Sequence, residues 1–135
     1  MASAELGMVV ELLRSMRLMG DADFATLRAN MEAATSSAGI PGDVRVEAVD
    51  ADGVAAEWVR AGVVADDACV LYFHGGGYCI GSPATHRAMV ASISRAAGLP
   101  VLSVDYRLAP ENPYPAAVDD GVRADQHRRN ARCPA

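Results

Sequence analysis

His74-Gly75-Gly76-Gly77-Tyr78 is the stretch whose residue types could do chemistry. Three successive glycines leave backbone N–H groups uncovered by any Cβ and free to adopt φ values closed to other residues. Donors exposed in this way can converge on an oxygen that gains negative charge during a reaction. A glycine turn that merely ends a strand has the same composition, so the surrounding residues decide between the two. Other chemistry-bearing side chains are sparse. Cys69, Cys79 and Cys133 form an odd set without metal-ligand spacing, and Cys69 lies in an apolar run suited to a small core residue. No metal and no cofactor is expected. His86, beside Arg87 at the start of a helical pattern, is expected to be a solvated surface residue, and His127 lies in an Arg-rich stretch with no catalytic pattern around it.

The elements that must position the turn follow from periodicity. Leu6, Val9, Val10, Leu13 and Met16 fall on one helical stripe, and Phe24, Leu27, Met31 and Ala34 on a second, with Asp21 or Asp23 placed to cap it. Ser36 to Gly42 then reads as a linker. Alternation over Val44, Val46 and Ala48/Val49, the turn Asp50-Ala51-Asp52-Gly53 and the extended run Val54 to Val59 predict a β-hairpin. Ala68 to Phe73 is apolar without alternation, as a strand covered on both faces is, and the glycine turn ends it. Ser82-Pro83 supplies a helix cap and first turn, Met89, Val90, Ile93 and Ala97 the expected buried stripe, and Gly98 the stop. Pro100 to Asp105 is a second buried strand, so strand, helix and strand make a βαβ unit with parallel strands. A further helix starts at Pro115, with Asp119 and Asp120 in its first turn.

The bulk composition bounds the partners. The chain has 135 residues, enough for one domain, with 51% hydrophobic and 21% charged residues and a net charge of -5. That charge disfavours nucleic acid and anionic lipid surfaces as partners. All 12 basic residues are Arg, a bias expected of GC-rich coding. Glu5, Glu11, Arg14 and Arg17 interrupt the N-terminal region too often for a signal peptide, and no stretch reaches the length of a membrane span, so a soluble cytoplasmic protein is the expectation. Residues 121–135 differ from the rest: 4 Arg against 1 acid, where residues 1–120 carry 8 Arg against 16 acids. With one large aliphatic residue, this stretch is not expected to offer a continuous apolar face.

Taken with Gly81-Ser82 and the run Ser103-Val104-Asp105-Tyr106-Arg107-Leu108-Ala109-Pro110-Glu111-Asn112-Pro113-Tyr114-Pro115-Ala116-Ala117-Val118-Asp119-Asp120, the glycine turn closely resembles the hormone-sensitive-lipase-type carboxylesterases, an α/β-hydrolase family. The resemblance covers about residues 44–120. It implies a truncated α/β-hydrolase sheet, made of an N-terminal hairpin plus one βαβ unit and preceded by two cap helices. The implied organisation is residues 1–42 as cap-like helices and linker, 43–120 as a partial core and 121–135 as an atypical tail. By the same resemblance, Gly76 and Gly77 match the glycines whose N–H groups face the oxyanion. Gly75 and His74 match the supporting turn, not the catalytic histidine. Asp105 and Arg107 match a structural loop held by an ion pair or by backbone bonds. Tyr78 suits either the substrate pocket or plain packing.

The family's reaction needs a serine on a G-x-S-x-G elbow, then an Asp and a His that activate it. No G-x-S-x-G occurs in these residues: Ser82 is a cap, Ser92 and Ser94 are helical and Ser103 lies in a strand. The expectation is therefore an N-terminal fragment of a serine-type carboxylic ester hydrolase that is inactive alone and would take a small acyl ester if complemented. Its oligomeric state is open. The alternative is a non-catalytic truncated or frameshifted product, unstable or inactive, and a weaker third reading is a small module that keeps the turn as an anion site. In the family's sheet the strand ending at His74 is interior, so loss of its neighbour predicts a bare apolar edge.

Overall fold

A computed structural model describes residues 7–8, 23–36, 39–65 and 67–130. The first expected helix lies outside the described residues apart from Gly7 and Met8, as do Asp21 and Cys133. Helix α1 (Phe24–Ser36) begins where the Asp23 carboxylate accepts a 2.7 Å bond from the Thr26 N–H. Its expected stripe is only partly covered, because α1 sits on the outside of a second helix and not on the sheet.

Strands β1 (Val44–Asp50) and β2 (Ala55–Ala61) form the expected hairpin, paired antiparallel from Val44↔Ala61 to Asp50↔Ala55. Asp52 (φ 56°) and Gly53 (φ 84°) both take positive φ at its tip, the twist that suits a tight hairpin. Strand β3 (Val70–Phe73) leads through α2 (Pro83–Ala97) to β4 (Val101–Val104), and β3 and β4 pair in parallel as the βαβ pattern requires. β4 also pairs antiparallel with β2, giving the order β1-β2-β4-β3. Helix α3 (Ala116–Asn130) closes the described chain.

The period-2 alternation of strand side chains divides the core into two layers. Ala56, Trp58, Leu102 and Val104 face one way, where Tyr106 and Ala124 of α3 join them. Val59, Ala61 and Val101 face the other way, onto Val90 and Ala91 of α2. Helices therefore cover both faces of a mixed sheet, as in the first part of an α/β-hydrolase fold.

One expectation needs correction. The buried stripe of α2 is Val90, Ala91 and Ser94, with Met89 48% exposed and Ala97 exposed. Ser94 turns inward because its hydroxyl accepts from the Ala61 N–H at 3.1 Å and donates to the Leu99 carbonyl at 2.8 Å. A buried polar group is tolerated once it is paired in this way. Helix α3 runs across Gly121 without interruption. It meets the core through Ala124, fully buried, and through the partly buried Ala117. Asp125 pairs with both Arg128 and Arg129 along the outer surface. The helix ends of α2 are as expected: Ser82 and Thr85 cap each other reciprocally, and Gly98 closes the helix at φ 65°. No helix among the described residues is long and apolar enough to cross a membrane.

Candidate functional site

Because β3 and β4 run parallel, the segments that follow them emerge at the same end of the sheet, where open α/β folds place their ligands. The turn after β3 and the loop after β4 meet there. Gly76 (φ 127°), Gly77 (φ 62°) and Tyr78 (φ 62°) are three successive left-handed residues. A Cβ on Gly76 would stand 2.0 Å from the Ile80 carbonyl oxygen, so only glycine fits. That close approach exists because the Gly76 carbonyl accepts from both Cys79 N–H and Ile80 N–H, each at 3.1 Å. The Tyr78 carbonyl accepts from Ala109 N–H at 2.8 Å, tying the turn to the second loop. A tyrosine in the left-handed region stores strain of about 1 kcal/mol.

The turn's own N–H groups are the notable feature. Among the described residues, those of Gly76, Gly77 and Tyr78 donate to no protein acceptor. They border a cavity of 440 Å³ lined by Phe73 to Tyr78, Tyr106, Ala117, Val118 and Gly121. Apolar walls beside uncommitted donors suit a ligand with a carbon body and one anionic oxygen.

His74 supports this turn from below. It is 3% exposed, and its Nδ1–H donates to the Gly75 carbonyl at 2.9 Å. The Tyr106 ring stacks on it with centroids 4.3 Å apart, and the Tyr106 hydroxyl donates to the His74 carbonyl at 2.6 Å. Burial lowers the basicity of the imidazole, which favours the neutral ring. Burial, with smaller contributions from Tyr78 and Tyr72, pushes the Tyr106 phenol up to about 12. Both groups therefore act as fixed neutral supports. Gly81 makes room for them: a Cβ there would lie 2.7 Å from both the Gly75 oxygen and His74 Nδ1.

The remaining residues singled out in the sequence fall as follows. Arg107 forms an ion pair, but its partner is Asp120 of α3, 13 residues on. The Asp120 carboxylate accepts from the Arg107 backbone N–H at 2.9 Å and from its guanidinium at 2.7 and 2.8 Å. The guanidinium holds this carboxyl below its ordinary range despite burial. Asp105 is exposed, and its N–H donates to the Ala55 carbonyl at 2.9 Å. His86 is half-buried rather than fully exposed, with its ring centroid 5.5 Å from that of His74. Tyr78 lines the cavity and is 63% exposed. Cys69 is half-buried against the Trp58 side of the core. Ser82, Ser92, Ser94 and Ser103 are all engaged structurally or buried, and none of their hydroxyls bonds an imidazole. Tyr106, Asp120 and Arg28 were not anticipated as parts of the site. Tyr106 sits inside the long motif, whereas nothing local distinguishes Arg28.

Comparison with known proteins agrees with this geometry. A family model described as alpha/beta hydrolase fold matches residues 70–132. An acetyl-hydrolase of Streptomyces hygroscopicus is 37% identical over 134 residues, covering 99% of this chain and 44% of that protein. Esterase LipI of Mycobacterium tuberculosis is 53% identical over 55 residues, 41% of this chain and 17% of that protein. The crystal structure of an esterase from the bacterial hormone-sensitive lipase (HSL) family superposes with a TM-score of 0.82 at 42% identity, over 94% of this chain and 43% of that one. The chain thus spans less than half the length of each of these relatives.

Proposed function

Since the chain belongs to the hormone-sensitive-lipase-type carboxylesterase family of the α/β-hydrolase fold and spans its N-terminal portion, we propose that it supplies the oxyanion-binding half of a serine-type carboxylic ester hydrolase. The substrate is a small acyl ester, and the setting is the cytoplasm. A serine oxygen from outside these residues attacks the acyl carbon, and the carbonyl oxygen becomes an anion. The N–H groups of Gly76 and Gly77 receive that anion; the ester C–O bond breaks and the alcohol leaves with the serine's proton, carried by a base also from outside these residues. Water then cleaves the acyl–serine bond, releasing the acid and restoring the serine. Gly75 and His74 hold the turn, with the neutral imidazole bonded to the Gly75 carbonyl. The observation that carries this reading is the set of uncommitted N–H donors at Gly76 and Gly77 beside an apolar cavity.

The test is p-nitrophenyl ester turnover by the 135-residue chain, alone and co-folded with the C-terminal portion of a related esterase. The chain alone is expected to show none. The assembled pair is expected to turn over, to be blocked by a serine-directed reagent, and to lose about 10²–10³-fold in rate on Gly76→Ala. Reagent-sensitive turnover by the chain alone would place the nucleophile within it, and activity that survives Gly76→Ala would remove the turn from the mechanism. The second reading, a non-catalytic product, is motivated by the change of composition near Gly121, where residues 121–135 carry 4 Arg against 1 acid. On that reading no C-terminal portion restores turnover.

A further inference from the structure

Arg28, on helix α1, reaches the end of the glycine turn. Its Nε–H donates to the Cys79 carbonyl at 2.7 Å, and one terminal nitrogen donates to the Ala109 carbonyl, also at 2.7 Å. The same guanidinium grips Glu111 in a two-pronged pair at 2.9 and 3.0 Å. One planar group thus ties three segments far apart in sequence: helix α1, the end of the glycine turn and the loop that follows β4. Arg is suited to this because its donors form a rigid fork, which an ammonium lacks. Among the described residues it is the one charged side chain hydrogen-bonded to the turn.

The placement of these bonds matters. Cys79 N–H and Ile80 N–H both close on the Gly76 carbonyl. The Tyr78 carbonyl is held by Ala109 N–H and the Cys79 carbonyl by Arg28, while Ala109 itself accepts from Arg28. The peptide groups downstream of Gly77 are thereby fixed through their oxygens, leaving the N–H groups of Gly76 and Gly77 uncommitted.

We propose that Arg28, oriented by Glu111, is a positioning residue: it fixes the direction of the oxyanion donors by anchoring the Cys79 and Ala109 carbonyls on one guanidinium. This rests on reading Gly76 and Gly77 as those donors. The carboxylate end of the Arg28–Glu111 pair faces water, Glu111 being 56% exposed against 24% for Arg28, so the ion pair itself contributes little to global stability. Its effect is local, which separates positioning from general support.

Amide hydrogen exchange and ¹⁵N–¹H spectra of the full 135-residue chain test the proposal. Arg28→Ala is expected to speed exchange at Cys79 and Ile80 about tenfold, to shift the Gly76 and Gly77 amide resonances, and to leave Leu102 and Val104 in β4 unchanged. Arg28→Lys is expected to recover only a minor part of the protection. Glu111→Gln, a gentler change should Arg28→Ala fail to fold, is expected to give about threefold. Unchanged exchange at Cys79 and Ile80, an equal acceleration in β4, or full recovery with lysine would each overturn it. None of these readouts involves ester turnover. A chain whose turn depends on Arg28 but never serves an oxyanion passes here and fails the ester assay, and the reverse outcome is equally visible.

Discussion

At one edge of the sheet β1 reads Val44-Arg45-Val46-Glu47-Ala48-Val49-Asp50; at the other β3 reads Val70-Leu71-Tyr72-Phe73. The first alternates apolar and charged residues, and Glu47 pairs across the ladder with Arg60 at 3.5 Å. The second has no charge, no proline and no bulge to discourage another strand. Its own Phe73 is 43% exposed, and Val118 and Val122 beside it are 50% and 52% exposed. Sheet edges meant to face water carry charges that oppose further pairing. By that standard β1 is built as a terminus, while β3 has the composition of an interior strand. The glycine turn hangs from β3, so the candidate site lies at the less covered side of the molecule.

The largest expected effect concerns the interior that both edges share. Trp58, 3% exposed on β2, should cost about 3–5 kcal/mol on replacement by Ala, read as a lower urea midpoint. A much smaller loss would mean that the sheet is not one cooperative unit. Next comes the tether that holds α3 against the β3 side. Asp120→Ala removes acceptors from the Arg107 N–H and guanidinium and should cost about 2 kcal/mol, after discounting the half-exposed Arg. The sign of its pH dependence follows from the lowered pKa of Asp120, set first by its bonds to the Arg107 guanidinium. Its contribution is fully present above the ordinary carboxyl value of 3.8 and is lost as pH falls through the depressed folded value. The variant should therefore show a shallower acid limb in a stability–pH profile. Phe73→Lys tests the edge itself: it should abolish concentration-dependent association in light scattering, whereas a charge-removing change on β1 such as Arg45→Val should increase it. The smallest effect is Glu47→Ala, within about 0.5 kcal/mol, because the paired carboxylate is 66% exposed.

Local chemistry made the frame legible. The Ser82 cap, the Gly98 stop, the Asp52-Gly53 tip and the apolar runs of β3 and β4 each announce themselves within a few residues, and the strand ends shifted by no more than two. The glycine turn was legible for the same reason, since its φ values demand its composition. What escaped were bonds between distant residues. Arg28 meets Cys79 at a separation of 51 and Glu111 at 83, and no periodicity on α1 marks it. The α2 stripe was misjudged because an inward serine depends on the Ala61 N–H of another strand. Over residues 121–130 Ala124 is buried while Val122 stays 52% exposed, and Asp125 pairs with Arg128 and Arg129 along the helix.

The hollow at Gly81 has a consequence for any relative of this chain. The imidazole at 74 and the bare α-carbon at 81 occupy what would otherwise be the same space, so neither position can vary independently. Alanine at 81 would displace the ring, strip the Tyr106 stack of its partner and free the Gly75 oxygen. A homologue that bears a side chain at the equivalent of 81 must therefore have moved both this imidazole and the Gly75 oxygen, and must brace its turn by some other device.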